Sequence, residues 1–326
     1  MKQLKTTGSN VQLGISQLGL GAMRMAPDRE GAISAIHAAL DNGVNFLNTG
    51  DFYSSGISET IVGEALKGRK REDAFVSVKF GALQTIESGM SGFDVRPEGV
   101  ENYLAYSLKR LGLDYIDLYQ PCRINPHIPV EETIGAISRL VEKGYVRTIG
   151  VSEVDADTLR RANATHPISL VEVAYSLMNR HIEDELIPTA RGLGVGIVGF
   201  GVLLSGVLGG SATEQKISVL SHFVPPSAFE NLNQNFSLTD KLQQIADEKE
   251  ATLAQLAIAW VLAQGEDIMA LVGSRTESQF KDSLKATDIR LSKDDLDRIE
   301  SIIPKANALI TYMPPVNIDK NGLFKR

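Results

Sequence analysis

Short apolar segments alternate with amphipathic ones about eight times along the chain, which predicts an α/β fold, a single (β/α)8 TIM barrel. The short segments are almost continuously apolar, as parallel strands are when both of their faces are covered. No linker-like or low-complexity stretch divides the 326 residues, of which 43% are hydrophobic and 22% are charged. This composition supplies a large core. We therefore expect one domain over residues 1–326.

The predicted strands begin with an N-terminal pair. Two short alternating pieces, Gln3–Lys5 and Val11–Leu13, flank the residues TTGSN and predict a β-hairpin. The eight core strands are then predicted at QLGLGAM, VNFLN, AFVSVKF, YIDLYQ, YVRTIGVS, ISLVEVAY, VGIVGF and IMALVG.

Helices are predicted after these strands, where apolar residues recur three and four positions apart. Pro97 suits the first turn of one helix, and Gly144 and Gly192 suit the positions where two others end. The predicted helices are Arg29–Asn42, Glu59–Lys67, Pro97–Leu111, Val130–Lys143, Asp155–Ala164, Glu183–Arg191, Thr239–Lys249, Leu253–Ala263 and Glu277–Ala286.

A doubly wound open sheet is the alternative for this order of elements. That fold carries a G-x-G-x-x-G turn after its first strand, and GLGAMRM does not supply one. In a barrel, active sites lie where the strands end and the next loops begin. We expect long loops, Gly81–Arg96 and Gly201–Leu238, on that face, and the tail from Leu291 is long enough to return over it.

Composition and charge limit the possible partners. The formal net charge is -7 and no basic block is present, which argues against nucleic acid. The single cysteine, Cys122, excludes an intrachain disulfide and fits a reducing compartment. No apolar signal core opens the sequence, and no uncharged apolar run reaches the ~18 residues that span a bilayer. We therefore expect a cytoplasmic protein with no membrane partner.

Tyr53 and Lys79 are the first candidates for chemistry. They follow the second strand and end the third, so their side chains should meet at one end of a barrel. A lysine inside FVSVKFG should not be buried without a reason. An ammonium beside a phenol favours phenolate and lowers the tyrosine pKa, which would let Tyr53 donate a proton near neutral pH. A packed tyrosine and a lysine that reaches solvent are the alternative.

The segment Leu271–Leu284 is the second candidate, for phosphate binding. A strand there runs through glycine to a helix start that carries Ser274, Arg275 and Thr276. Free amides at a helix N-terminus bind phosphate, and arginine adds a planar cation for the same group. Phosphate sites of barrels often follow the seventh and eighth strands. The alternative is a solvated arginine beside an N-cap serine.

Over essentially its full length the chain resembles the aldo-keto reductases, an NADP-dependent barrel family. The order and spacing of the matching segments agree with the family throughout, and together they are highly specific, although no single one is. These segments are LGLGAMRM, GVNFLNTGDFYSSGISETIVGEALKG, FVSVKFG, SLKRLGLDYIDLYQ, VEETIGAISRLVEKGYVRTIGVSE, AYSL, QLAIAWVLAQG and GSRTESQFKDSL.

The resemblance implies a catalytic group of aspartate, tyrosine, lysine and histidine. Tyr53 matches the proton donor and Lys79 matches its partner, but Asn48 stands at the aspartate position and Cys122 at the histidine position. We expect Asn48 to leave the Lys79 charge less compensated, while burial of that charge costs more. Cys122 is a poor donor beside histidine. Catalysis should therefore persist but be slower or narrower. Cys122 is either a small apolar filler or a redox-sensitive thiol.

The resemblance also implies cofactor and substrate contacts. Ser152 and Glu172 match residues that hold the nicotinamide carboxamide, and Phe200 matches the ring that stacks on the nicotinamide. Ser274 and Arg275 match contacts to the adenosine 2′-phosphate, which favours NADPH over NADH. The other implied cofactor residues are Met23, Leu203, Ser205, Gly206, Gly273, Gln279, Asp282 and Ser283, and the implied substrate residues are Phe80 and Arg123. Arg123 would attract an anionic substrate or pair with a nearby acid.

We therefore expect an NADP(H)-dependent oxidoreductase that reduces an aldehyde or ketone to an alcohol, with Tyr53 as proton donor tuned by Lys79. The alternatives are reduction of a conjugated C=C bond, oxidation of an alcohol or sugar, and an NADPH-binding regulatory protein with little turnover. A small-molecule carbonyl substrate is the expected partner. No spacing of the five histidines predicts a metal site, and the sequence does not fix the oligomeric state.

Overall fold

The structure is a computed structural model that describes residues 1–6, 13–87, 89–209, 232–307 and 317–325, with the side chains of Ser205 and residues 232–237 left aside. In chain order its strands are β1 (Leu18–Gly21), β2 (Phe46–Gly50), β3 (Phe75–Phe80), β4 (Ala82–Gln84), β5 (Met90–Phe93), β6 (Ile116–Pro121), β7 (Val146–Ser152), β8 (Ile168–Ala174), β9 (Gly196–Phe200) and β10 (Ile268–Gly273). All but β4 and β5 are parallel and close into an eight-stranded barrel in sequence order. The predicted (β/α)8 TIM barrel is confirmed.

The helices alternate with these strands as predicted. They are α1 (Arg29–Asp41), α2 (Ile57–Leu66), α3 (Pro97–Leu111), α4 (Val130–Glu142), α5 (Ala156–Thr165), α6 (Leu186–Leu193), α7 (Leu232–Glu248), α8 (Leu253–Ala263), α9 (Glu277–Leu284) and α10 (Lys293–Ile302). None of the helices in the described ranges combines the length and apolarity that a membrane crossing requires.

Three helix predictions need correction. Helix α7 starts at Leu232, seven residues before the predicted start at Thr239, and so occupies the end of the predicted loop Gly201–Leu238, of which residues 210–231 lie outside the described residues. Helix α6 starts at Leu186 because residues up to Glu183 form a 3-10 turn. It also runs past Gly192, and Gly194, with φ of 70°, takes the left-handed position that ends it. Helix α10 was not predicted, although Ser292 and Asp295 form a capping box that marks its start.

The inside of the barrel carries one apolar layer with a polar layer above it. Successive side chains along each strand point alternately into the barrel and out towards the helices. The apolar side chains that point inward form one cluster, which contains Phe46, Phe75, Leu118, Leu170, Val198, Met269 and Leu271. Side chains two positions further along a strand point to the same side. Asn48, Ser77, Gln120, Glu172 and Phe200 therefore stand above this layer, nearer the carboxyl ends of their strands.

A hairpin of β4 and β5 and the C-terminal residues together cover part of the carboxyl end of the barrel. The predicted loop Gly81–Arg96 contains the antiparallel pair β4–β5. Gly92 of β5 pairs with Leu323, and a Cβ atom on Gly92 would lie only 1.9 Å from the Gly322 oxygen. Only glycine permits this approach. The predicted return of the tail over the active face therefore occurs through residues 317–325.

The N-terminal pairing differs in register from the predicted hairpin. Gln3 forms an antiparallel bridge with Ser16, and the Leu4 amide donates to the Ile15 oxygen at 2.8 Å. Val11 and Gln12 lie outside the described residues, so the partner in the described part of the chain is Ile15–Ser16.

Candidate active site

Lys79 lies at the centre of the polar layer. Its ammonium donates to Asn48 Oδ1 at 2.6 Å and to Glu172 Oε1, and only 5% of the residue is exposed. Burial by itself lowers the pKa of Lys79, but the Glu172 carboxylate and Tyr53 outweigh burial and raise this pKa above its ordinary value. The lysine is thus held as a charged ammonium inside the barrel.

Tyr53 lies against this ammonium, as predicted. Lys79 Nζ is 5.2 Å from the centre of the Tyr53 ring, and the tyrosine is 8% exposed. The expected direction of the tyrosine pKa was wrong. Burial raises the pKa of Tyr53, Lys79 lowers it and Glu172 raises it again, so the result lies above the ordinary value. Tyr53 is therefore protonated at neutral pH, which is the state that a proton donor needs.

A strained turn places Tyr53 at the end of β2. The two residues after it, Ser54 and Ser55, have φ of 48° and 54°, a left-handed conformation that costs about 1–3 kcal/mol per residue outside glycine. Gln84 of β4 stabilises the turn. Its Nε2 donates to the Phe52 oxygen at 2.7 Å, and its Oε1 accepts from Ser55 Oγ at 2.9 Å. Strain of this kind is common where a side chain must be aimed at a site.

The structure corrects the expectation that Lys79 is less compensated. Asn48 brings no charge, but Glu172 of β8 forms an ion pair with Lys79, and both residues are buried. Asn48 Nδ2 also donates to Glu172 Oε2 at 2.7 Å. The family resemblance placed Glu172 with the cofactor. Its contact with Lys79 was not predicted, because the order of strands suggests contacts between neighbours and not across the barrel.

Three residues at the site had no role assigned from the sequence, although Gln120 and Glu153 lie at strand ends where chemistry was expected. Gln120 Nε2 donates to Glu172 Oε2 at 2.6 Å and to Ser77 Oγ at 3.3 Å. Ser77 also accepts from Asn48 Nδ2 at 3.2 Å. Glu153 lies just after β7 and accepts from the Ala174 amide at 2.6 Å. A polar residue at an inward position of an apolar strand is the signal that would have found Ser77 and given Gln120 a role.

Cys122 is part of an apolar contact beneath the C-terminal residues. It is 6% exposed and clusters with Phe93 and Ile318, with Phe52 packed against them. Burial raises the pKa of its thiol above the ordinary value. A thiol that stays protonated is a poor nucleophile, so the surroundings favour the apolar filler over the redox-sensitive thiol.

The two residues predicted to contact substrate have other surroundings. The Phe80 ring is fully buried and stacks on Tyr119, with ring centres 4.5 Å apart, so it faces the helix layer and not the site. Lys79 and Phe80 are adjacent in a strand, and adjacent side chains point to opposite faces. Arg123 is 7% exposed and pairs with Glu153 at 3.5 Å, which matches the second of the two roles expected for it.

Asp51 is an acid beside the site that forms no ion pair in the described residues. Its Oδ2 accepts from the Gly81 amide at 3.2 Å, while its Oδ1 is buried without a hydrogen-bond partner there. Burial raises the pKa of Asp51 to about 7. Among the described residues this carboxylate forms no ion pair with Lys79, so Asp51 does not take the place of an aspartate at position 48.

This acid should make stability depend on pH. The folded pKa lies above the unfolded one, so the stabilisation is complete below about pH 4 and is lost as the pH rises through 7. Each pKa unit corresponds to about 1.4 kcal/mol and only about two such units fall between pH 5 and 7, so we expect Asp51→Asn to remove up to about 3 kcal/mol of the fall in unfolding free energy between about pH 5 and 8. Urea unfolding at the two pH values measures it.

The surface variant Asp114→Asn is the control for Asp51→Asn. The unfolding free energy of Asp51→Asn should still fall to some extent as the pH rises, because burial also raises the pKa of Glu153 to about 7. If the unfolding free energy of Asp51→Asn fell with pH as steeply as that of the wild type, Asp51 would not be the cause of the fall.

The predicted phosphate site lies after β10. Ser274 is buried, and its Oγ has no hydrogen-bond partner in the described residues, while Arg275 is exposed. Above Gly273 there is open space, because an added Cβ would approach only the Gly21 oxygen, at 3.9 Å. The Arg275 and Gln279 amides already have side-chain partners, Gln279 Oε1 at 3.0 Å and Thr276 Oγ1 at 3.3 Å. These residues fit a phosphate mainly through the Ser274 hydroxyl and the Arg275 guanidinium.

The remaining predicted cofactor residues differ in exposure. Asp282 Oδ1 accepts from Gln255 Nε2 at 2.9 Å, and Ser283 is buried and donates to the Gln279 oxygen at 3.1 Å. Met23 is 43% exposed at the end of the first strand. The others are Ser152, buried and paired in register with Glu172; Phe200 and Leu203, half-buried; Gly206, with φ of 103°; and Ser205, whose side chain lies outside the described residues.

Among the described residues, no group of three or more histidine, cysteine, aspartate or glutamate residues could hold a metal ion. The arrangement instead brings a protonated phenol, a charged ammonium and a buried carboxylate together at the carboxyl end of a barrel.

Comparisons with known proteins agree on one family. The sequence model described as "Aldo/keto reductase family" matches residues 10–304. The chain is 37% identical over 306 residues to a protein named probable aldo-keto reductase 1 from Glycine max, with 93% of this chain and 88% of that protein covered.

Two solved structures are similar over nearly the whole chain. A glycerol dehydrogenase from Gluconobacter oxydans has a TM-score of 0.81 at 25% identity, and the match covers 98% of this chain and 99% of that one. A thermostable aldo-keto reductase in complex with the inhibitor epalrestat has a TM-score of 0.73 at 27% identity, covering 92% and 98%.

Proposed function

The chain belongs to the aldo/keto reductase family, oxidoreductases that use a nicotinamide cofactor on carbonyl compounds, and on this premise we propose that it reduces an aldehyde or ketone with NADPH. The observation that carries the proposal is the buried Tyr53 phenol against the Lys79 ammonium at the carboxyl end of the barrel. When bound, the cofactor supplies the hydride.

Tyr53 would donate the proton. Its phenol remains protonated at neutral pH because burial raises its pKa. As the carbonyl carbon is reduced, the carbonyl oxygen becomes basic and takes a proton from a donor within hydrogen-bond reach. The Lys79 ammonium stabilises the negative charge left on the Tyr53 oxygen. Asn48 and Glu172 orient that ammonium through the contacts described above.

Ser274 and Arg275 would hold the adenosine 2′-phosphate, which makes NADPH the preferred cofactor. A hydrogen bond to a charged group contributes about 1.5–3 kcal/mol, so Arg275→Ala should raise the Kd of NADPH about ten- to a hundredfold. The Kd of NADH, which lacks the phosphate, should change little. Quenching of protein fluorescence measures both values.

The matched control for Arg275→Ala is Arg290→Ala, which removes another arginine from the same region. Arg290 Nη1 donates to the Thr287 oxygen at 2.8 Å at the protein surface. It should leave both dissociation constants in place. Equal losses of NADPH and NADH affinity in Arg275→Ala would argue against phosphate recognition.

The proposed activity is tested directly with purified protein, NADPH and a broad panel of aldehydes and ketones. Oxidation of NADPH followed by its absorbance should depend on both the protein and the carbonyl compound. Tight NADPH binding with no turnover of any carbonyl would instead support a regulatory role.

Oxidation of an alcohol is a second candidate, favoured by the similarity to the glycerol dehydrogenase. The same groups serve both directions, because the Tyr53 oxygen would take the hydroxyl proton in reverse. Assays with NADP⁺ and a series of polyols decide between the directions. A specificity constant for a polyol above that for every carbonyl compound would favour oxidation.

A further inference from the structure

Glu172 receives three hydrogen bonds inside the barrel. Lys79 Nζ donates to Oε1, while Asn48 Nδ2 and Gln120 Nε2 donate to Oε2 at 2.7 Å and 2.6 Å. The residue is 1% exposed, and in the described ranges it is the one carboxylate that forms an ion pair with Lys79. The negative charge of the polar layer therefore comes from β8 and not from β2.

The Asn48 amide joins the ammonium to this carboxylate. Its Oδ1 accepts from Lys79 Nζ at 2.6 Å and its Nδ2 donates to Glu172 Oε2 at 2.7 Å. The orientation is forced, because an oxygen in place of Nδ2 would face a carboxylate oxygen with no proton between them. An aspartate at position 48 would bring a second negative charge to this distance, and two carboxylates that close cannot both remain ionised.

We propose that Glu172 is the positioning residue that holds the Lys79 ammonium in place beside Tyr53, and that positions 48 and 172 must carry one carboxylate between them. The proposal rests on the proposed reduction, in which Lys79 acts on Tyr53. Glu172 acts through Lys79. Moving the carboxylate from position 172 to position 48 should therefore preserve the site, whereas changing either position alone should damage it.

The exchanged pair can satisfy its hydrogen bonds. In Asn48→Asp/Glu172→Gln, one oxygen at position 48 accepts from Lys79 and the other accepts from the new amide. Gln120 must then turn its own amide to present an oxygen to that group. This is possible because Gln120 Oε1 has no hydrogen-bond partner in the described residues.

The charge at position 172 should also set the basic limit of activity. Burial lowers the pKa of Lys79 and Glu172 raises it, and Glu172 also adds to the rise that burial causes in the pKa of Tyr53. Removing the carboxylate lowers both pKa values, so activity should be lost at lower pH. The other titratable and charged groups near this cluster are Cys122 and Arg123 after β6, Glu153 after β7 and Asp51 after β2.

The experiment compares four full-length proteins: wild type, Glu172→Gln, Asn48→Asp and the double variant. We expect each single change to lower kcat for a reactive aldehyde at least about tenfold, and the double variant to recover to within about fivefold of wild type. The basic limb of the kcat profile should move down by about one pH unit in Glu172→Gln and return in the double variant. The urea midpoint and the Kd of NADPH are measured alongside.

Glu59→Gln is the matched control. Glu59 is a buried carboxylate that accepts from Arg110 Nε at 2.5 Å, away from Lys79. This variant should lower the urea midpoint and leave the basic limb where it is. A purely structural role of Glu172 predicts the same result for Glu172→Gln, and that result would overturn the proposal.

Additive losses would overturn it as well. If the double variant loses kcat by the product of the two single losses, the two positions do not share one charge. If the wild type reduces no carbonyl compound, the proposed function fails and the urea midpoints test the proposal alone. A recovered midpoint in the double variant then supports it and an additive fall refutes it. If a single variant does not fold, the double variant still tests the proposal. A folded double variant supports it, and a double variant that also fails to fold refutes it.

Discussion

Tyr53→Phe should lower kcat for aldehyde reduction by about a hundredfold or more, since a positioned general acid contributes about 10²–10⁴-fold. The loss should be confined to the proton transfer. A phenylalanine ring preserves the contact with Lys79 and the edge contact with Phe52, whose ring centre is 4.7 Å away. The Kd of NADPH should therefore remain within about threefold of the wild-type value. Steady-state kinetics and fluorescence titration measure the two quantities.

The control for Tyr53→Phe is Tyr106→Phe, which removes the hydroxyl of a tyrosine that is 56% exposed on α3. It should change neither quantity. If Tyr53→Phe reduced carbonyl compounds as fast as wild type, Tyr53 would not be the donor, and the interpretation of the whole site would be wrong.

Lys79→Met should destabilise the protein by about 3–5 kcal/mol, because it leaves the buried Glu172 charge without its ion-pair partner. Methionine keeps the length of the aliphatic stem, so the loss reports charge and not packing. Activity should fall as well, because no cation remains beside Tyr53. The unfolding free energy in urea at pH 7 measures the destabilisation.

A double variant separates charge from fold in this test. Lys79→Met/Glu172→Gln contains neither buried charge, and replacing both partners of a buried pair is often close to neutral. It should therefore recover most of the unfolding free energy and remain inactive. A double variant as unstable as Lys79→Met would show that the lysine stem, and not the uncompensated charge, accounts for the loss.

The opposite charges of Lys79 and Glu172 cancel. This bears on the two departures from the catalytic group that the resemblance implies, Asn48 and Cys122. Asn48 by itself suggests an uncompensated lysine, yet the barrel interior still contains one cation and one carboxylate. Cys122 departs without such a replacement. It packs with Phe93 and Ile318, which closes that side of the site with apolar groups.

Much of the architecture was predictable from periodicity. Apolar runs with short spacing identified all eight barrel strands, and helices α3 and α8 have the predicted bounds. The misplaced boundaries follow from local chemistry. Gly192 and Gly194 are both suitable helix ends, and only the backbone path selects Gly194. Helix α10 went unpredicted because its sequence is strongly charged, although its capping residues were visible.

The site was predictable in part for a related reason. Tyr53 and Lys79 lie near the ends of neighbouring strands, so their meeting follows from the order of the strands alone. The outward direction of Phe80 follows from strand alternation and could have been inferred. The contact of Arg123 with Glu153 could only be offered as one of two possibilities, because the choice depends on side-chain placement between adjacent loops.

By itself, the sequence determined the barrel and the pairing of Tyr53 with Lys79, because these depend on apolar periodicity and on which strands are neighbours. It determined the family through the resemblance of its segments. Only the tertiary structure decided which acid neutralises Lys79. Glu172 stands on a strand that is not adjacent to the one carrying Lys79, 93 residues later in the chain. Charge compensation depends on distances across the barrel interior, and no spacing along the chain encodes them.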